Sequence, residues 1–267
     1  MTDFIAISYL DLVIAASFLV LNGILSYALQ LGLERQLILA SARMIIQLFL
    51  VGLLLKAVFA VASLWITALI ALAMCGVAGR EIWARQERRL HGVWGYGLGA
   101  SAMMVSSMTV VIIALTTQIE PTPWWSPRYA LPLFGMVLGN ALTGVSLGLD
   151  TLHTAAHRER AAIEAQLLLG HTKWQAMAPF ARQALRSGFT PIINSMAVTG
   201  VVSLPGMMTG QILAGIDPTE AVKYQLLVML MIGGSTGLGV LGSVMLSIWR
   251  LTDDRHRLRL DRLRQRS

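Results

Sequence analysis

The chain has 267 residues, 55% of them hydrophobic and only 13% charged, and its mean hydropathy is +0.65. A soluble domain of this length needs far more charge to cover its surface, so the composition identifies an integral membrane protein. One cysteine, Cys75, excludes a disulfide framework, and the net charge of +7 raises a nucleic-acid reading that the placement of the charges opposes.

Apolar runs recur at about 8–29, 37–59, 62–79, 97–118, 129–149, 189–214 and 222–249, each near the ~20 residues a bilayer requires. The expected fold is all-α and polytopic, with about seven transmembrane helices in a single domain over residues 1–267. The first run is not read as a cleaved signal peptide, because it lacks a basic start and no small-residue cleavage site follows it. With loops assigned alternately to two sides, one side collects Arg35, Arg80, Arg85, Arg88, Arg89, Arg158, Arg160, Lys173, Arg182 and Arg186. The same side holds the tail of about 250–267, with Arg250, Arg255, Arg257, Arg259, Arg262, Arg264 and Arg266. The other side has Lys56, Arg128 and Lys223. The positive-inside rule then puts the N-terminus outside and the tail in the cytoplasm. The basic excess is a topology signal and an attraction to anionic lipid, and no nucleic-acid partner is expected.

Beyond the loop that carries Trp124 and Trp125, read as an interfacial aromatic belt, the fifth run brings Asn140 and Thr143 into the membrane. Both are candidates for a polar path or for bonds between helices, as is Asn194 in the sixth run. Asp150, His153 and His157 follow at i, i+3 and i+7 and share one face if the helix continues. A carboxylate and two imidazoles suit ferrous iron. Asp150 and His157 stand ~10.5 Å apart along a straight helix, so only His153 and His157 can chelate together. The alternative is that these are solvated residues at a membrane edge.

The polar stretch of about 150–188 predicts two short cytoplasmic helices around a glycine corner. Gly170 is a natural residue for a left-handed helix end. Thr172-x-x-Gln175 is a capping box for the next helix, where Trp174, Met177 and Ala181 form one apolar stripe and Pro179 kinks or restarts the helix. Residues 200–215, GVVSLPGMMTGQILAG, then break an apolar run with Ser203, Pro205, Gly206, Thr209 and Gln211. Lipid cannot satisfy a broken backbone, so such a break is tolerated only against protein or a water-filled cavity. Its expected role is a gate or a path element, with Pro205 as the kink; the alternative is a packing kink against a neighbouring helix.

Glu164-Ala165, four residues and then Gly170 resemble the EAA-type loop of ABC-transporter permeases, although Gln166 replaces its second Ala and the downstream Leu-Pro pair is missing. The wider sequence LGNALTGVSLGLD (138–150), IEAQLLLGHT (163–172), NSMAVTGVVSLPGMMTGQILAG (194–215) and DPTEAVKYQLLVMLMIGGSTGLG (217–239) resembles the Fet family of bacterial iron-export ABC permeases, related to plant aluminium-tolerance proteins. That resemblance implies a permease domain in the bacterial cytoplasmic membrane, with Glu164, Ala165, Gly170 and Trp174 coupling it to a cytosolic ABC ATPase. It further implies a permease homodimer and a transported metal ion. No cofactor is expected on this chain, ATP and Mg2+ being expected on the partner. The chain carries no phosphate-binding loop of its own, so it is read as a transport subunit and not an enzyme. Hydropathy alone leaves open an ion-gradient-driven secondary transporter or a seven-span receptor.

Overall fold

The structure, a computed structural model, describes residues 8–253, 255 and 257–265, so residues 1–7 and Arg266 of the readings above lie outside it. In chain order the elements are α1 (Tyr9–Ala28), α2 (Glu34–Val61), α3 (Leu64–Arg85), β1 (Arg88–Leu90), α4 (Val93–Ala114), α5 (Pro127–Arg158), α6 (Arg160–Leu168), α7 (Lys173–Val198), α8 (Gly206–Leu213), α9 (Pro218–Leu251) and β2 (Leu263–Gln265). A π-helical turn, Leu115–Ile119, prolongs α4, and a 3-10 turn, Leu260–Arg262, precedes β2. The chain forms two compact units, Met1–Ala62 with Leu213–Gly215, and Ser63–Ile212 with the remainder.

The smaller unit is built on the α1–α2 hairpin. A capping box between Ser8 and Asp11 starts α1. The buried Ser26 hydroxyl donates to Glu34 (3.2 Å) and accepts from the Leu33 amide (3.1 Å), pinning the turn between the helices.

The larger unit is a bundle in which α5 is central, and glycine contacts set its directions. A Cβ at Gly144 of α5 would lie 2.8 Å from the Gly188 carbonyl of α7, and one at Gly148 would lie 3.4 Å from that of Ala184. As the α5 number rises the α7 number falls, so the two helices are antiparallel. Gly188 against Val240 and Met196 against Gly233 make α7 and α9 antiparallel in the same way. Consequently α5 and α9 run parallel, and α7 carries the chain back across the bundle between them. Gly242 beside Ala102 and Gly239 beside Ser106 set α4 antiparallel to α9, and Gly79 of α3 packs against Ala100 of α4. Two buried hydroxyls, Ser107 and Ser235, tie α4 to α9 at 3.0 Å.

Among the described residues six helices are long and apolar enough to cross a membrane: α1, α2, α3, α4 with its π turn, α5 and α9. The sixth apolar run of the sequence is not among them. It divides into the second half of α7, an irregular link at 199–205, and α8. The helix after Gly170 is correspondingly not short. It is α7, 26 residues long, and it runs through both Pro179 and Pro191 without interruption. Its inward face of Ala176, Met177, Ala181, Ala184, Gly188 and Ile192 is buried. Packing on that face holds the helix across the two missing amide donors. Trp174 is not part of the buried stripe and is exposed.

The alternation of α3, α4, α5, α7 and α9 gathers one set of connections at a single end of this unit: β1, the α5–α6 joint, the start of α7 and the C-terminal tail. That end is rich in arginine, as the loop count anticipates. There β1 pairs antiparallel with β2. The tail is fixed by Arg262, whose guanidinium donates to the Arg250 carbonyl (2.5 Å), while within the tail Arg259 forks onto Asp261 and pulls its carboxyl down to about 2.

A Cβ at Gly188 would sit 2.5 Å from Val240 and 2.9 Å from the Gly144 carbonyl, with no flexible side chain to move aside. Gly188→Val is expected to lower the thermal midpoint of the purified protein, on the scale of the ~1–3 kcal/mol cost of overpacking. Gly97→Ala, with nothing within 4 Å of the added carbon, is expected to leave it unchanged or slightly raised. Equal midpoints for the two variants refute the glycine clamp.

Candidate functional site

The first candidate region is the corner between α6 and α7. After the turn at Glu159, α6 is anchored by the fully buried Ile163. It ends in a Schellman arrangement, with the Gly170 amide donating to the Leu167 carbonyl and the His171 amide to that of Gln166, each at 3.1 Å. Gly170 has φ +88, the left-handed conformation expected of it. Thr172 then opens α7 with a complete capping box: its amide donates to Gln175 Oε1 (2.9 Å) and its hydroxyl accepts from the Gln175 amide (3.4 Å). Both motifs match the sequence reading.

Glu164 accepts from Arg160 Nε at 2.8 Å, and Ala165 is exposed. Leu168 and Leu169 are 89% and 76% exposed, and Trp174 is exposed beside them. Such side chains favour burial, so the corner offers a small apolar surface that ordinary helix packing would have covered. Beside it a cavity of about 410 Å³ is lined by Glu164, Leu167 and Leu168 with Arg255, Arg257 and Leu258. The tail's share in this surface carried no sequence signal.

At the other end of α7 the break is wider than a proline kink. The helix stops at Val198 and Gly200 adopts φ +89. The Gly200 amide donates to the Ser203 carbonyl (2.9 Å), and the Val202 and Ser203 amides both donate to Val198. Pro205 immediately precedes α8, a position where the missing amide costs nothing, and Gly206 is already helical. The residue that turns the chain is therefore Gly200, and replacing Pro205 and Gly206 alone does not join the helices. Thr209 bonds back to the Pro205 carbonyl (3.2 Å). Gln211 Oε1 is buried without a partner among the described residues.

Asn140 and Thr143 lie on the exposed face of α5, where they donate to the carbonyls of Met136 (2.8 Å) and Gly139 (3.4 Å). Asn194, one turn beyond Thr190, is exposed on α7. The far sides of both helices are occupied: Val145 of α5 meets Gly99 and Gly239, and Phe189 of α7 meets Gly237. These amides and hydroxyls thus face out of the bundle, not into its core, and make up its outward polar stripes on α5 and α7.

Asp150, His153 and His157 are separated. His153 is buried: its Nδ1 donates to the Arg88 carbonyl (2.9 Å), and in the neutral ring Nε2 accepts from the Ser247 hydroxyl (2.7 Å). Asp150 Oδ1 accepts from the Glu87 amide (2.6 Å), while His157 is exposed. Among the described residues no group of three His, Cys, Asp or Glu side chains is placed to hold a metal. His153 instead staples α5 to β1 and α9.

The fold and these surfaces define a polytopic all-α membrane protein with a polar break between α7 and α8. The family described as "Uncharacterised protein family (UPF0014)" matches residues 9–251, and the chain belongs to that family. The "Probable iron export permease protein FetB" of Escherichia coli is 32% identical over 257 residues, 96% of each chain. "UPF0014 membrane protein slr1647" of Synechocystis sp. is 39% identical over 205 residues, covering 76% of this chain and 77% of that one. "Protein ALUMINUM SENSITIVE 3" of Arabidopsis thaliana is 32% identical over 214 residues, 80% of this chain and 76% of that one. No solved structure matches.

Removing the His153 ring leaves a buried hydroxyl and a carbonyl without their partner, at ~1–3 kcal/mol for each group stranded. His153→Ala is expected to lower the thermal midpoint clearly, and His157→Ala to leave it unchanged. If instead both variants lose affinity for ferrous iron equally in calorimetry, with unchanged midpoints, the pair is a ligand set and the staple is wrong.

Proposed function

We propose that the chain is the permease subunit of an ATP-driven exporter, moving iron or a related metal ion out of the bacterial cytoplasm with ATP hydrolysed, with Mg2+, by a separate cytosolic subunit. One observation carries the reading. The exposed corner and the broken segment are the two ends of a single helix, α7, whose 26 residues span ~39 Å at 1.5 Å each.

A cytosolic ATPase closing on Leu168, Leu169 and Trp174 would push on the start of that rod. Because α7 is clamped against α5 and α9 through Gly188, the push shifts the rod instead of bending it. The link at 199–205, with two internal amide bonds to Val198 and a left-handed glycine, is where the shift is absorbed. The basic end faces the cytoplasm in this arrangement, in keeping with the positive-inside rule. Two copies would bring the stripes of Asn140, Thr143 and Asn194 together, and their amide and hydroxyl oxygens are neutral donors suited to a passing hydrated cation. The Escherichia coli relative is named for iron export and the Arabidopsis one for aluminium sensitivity, and the iron assignment rests on the former.

The test separates docking from passage. The double variant Leu168→Glu/Leu169→Glu alters exposed side chains only, so it should fold normally. It should lose co-purification of the ATPase subunit by roughly tenfold or more, the loss of ~1.4 kcal/mol of apolar burial. Wild-type association of this variant refutes the docking corner. Asn140→Leu/Asn194→Leu should keep ATPase association and slow ATP-dependent uptake of ferrous iron into inside-out membrane vesicles. Uptake at the wild-type rate removes the stripe from the path.

A further inference from the structure

We propose that a pocket at the basic end, between α3, β1, the start of α4 and β2, binds the phosphate of an anionic membrane lipid. The pocket holds about 490 Å³ and is lined by Arg80, Trp83, Arg89, His91, Tyr96 and Arg264, with Leu90 and Gly92 completing it. Among the described residues no carboxylate lines it.

The strand register makes the argument sharper than charge alone. In the β1–β2 pair, Arg89 stands directly opposite Arg264, and like charges at directly opposed positions of an antiparallel pair repel. Among the described residues neither arginine has a carboxylate in ion-pair range, and Asp261 is forked by Arg259. Arg89 is also pre-positioned, its guanidinium stacked 3.7 Å over the Trp83 ring. Stacking occupies the face of the guanidinium and leaves its edge of N–H donors free for a bidentate oxyanion. Tyr96 is committed elsewhere, donating to the Gly76 carbonyl at 2.7 Å, so it shapes the wall and does not bind.

Position selects the source of the phosphate. The pocket opens where the apolar helices α3 and α4 end, with Trp83 and Tyr96 at the level typical of interfacial aromatics. Val93, the first residue of α4, is largely exposed beside it. A headgroup phosphate held there would leave its acyl chains along the apolar flank of the helices. Basic pockets at helix ends on the inner side of a membrane are suited to such headgroups. Free phosphate shares the chemistry but has no use for the apolar flank. This inference is independent of the transport reading and needs only that the chain be embedded in a bilayer.

The experiment compares the full-length chain in nanodiscs of phosphatidylcholine with the same chain in a phosphatidylcholine–phosphatidylglycerol mixture, and in phosphatidylcholine with added inorganic phosphate. The readouts are the thermal midpoint and the phosphatidylglycerol retained in native mass spectrometry. The wild type should gain stability with phosphatidylglycerol and not with phosphate. Arg89→Gln/Arg264→Gln should lose that gain and bind phosphatidylglycerol roughly tenfold or more weakly, the scale set by two lipid-facing guanidiniums. In pure phosphatidylcholine it should be at least as stable as the wild type, because the repulsive pair is gone. The charge-matched Arg158→Gln/Arg182→Gln should behave as the wild type. If the pocket variant keeps the gain, or both variants lose it equally, the site is overturned in favour of diffuse charge. Stabilisation of the wild type alone by inorganic phosphate overturns the lipid assignment.

Discussion

The contact between the Gly144 and Gly188 backbones is the constraint on which the larger unit depends. Each glycine faces the other's carbonyl, with Val240 of α9 closing the third side. Any side chain at either position would part α5 from α7 and lift both from α9. Close approach of this kind is what small residues supply in a membrane, where lipid tails remove the hydrophobic drive for helices to associate. The direction of α7, the parallel course of α5 and α9, and the gathering of the arginine-rich segments at one end all follow from it.

The same clamp explains how a helix with two internal prolines stays straight enough to count as one element. Pro179 and Pro191 each delete an amide donor, yet Ala176, Met177, Ala181, Ala184 and Ile192 keep the inward face of α7 buried on both sides of each. The helix stops only where that support stops, at Val198, and Gly200 then turns the chain with a left-handed φ that few other residues tolerate.

What the sequence could and could not reveal divides along the same line. Local chemistry was readable. Gly170 as a helix end, Thr172 with Gln175 as a capping box, and the sorting of arginines between loops all rest on residues close in the chain. The extent of α7 was not readable, because its cationic first half and apolar second half look like separate segments to hydropathy, and Pro179 looks like a boundary. Pro205 drew attention as the breaker, while Gly200 sits unmarked among apolar neighbours. His153 and His157 share a helical face, which invites a metal. The partners that occupy His153 lie 65 and 94 residues away, at Arg88 and Ser247, and no spacing rule reaches that far.

The polar stripe of Asn140, Thr143, Thr190 and Asn194 poses the remaining physical demand. Thr190 bonds back to the Arg186 carbonyl at 2.8 Å, as Asn140 and Thr143 do to carbonyls of their own helix. Each side chain is thus partly satisfied within its helix, which lowers the cost of facing lipid without removing it. Four such residues on the outward faces of α5 and α7 remain an expensive surface for hydrocarbon to cover. In the dimer proposed above, a second copy would relieve the cost, because an isologous contact sets one polar patch against the same patch of the partner. The space enclosed in that proposed dimer would be polar on both sides and apolar outside, the condition for a cation to pass without meeting lipid. In the proposed dimer the feature least suited to an isolated chain in a membrane would become the reason for the chain to pair.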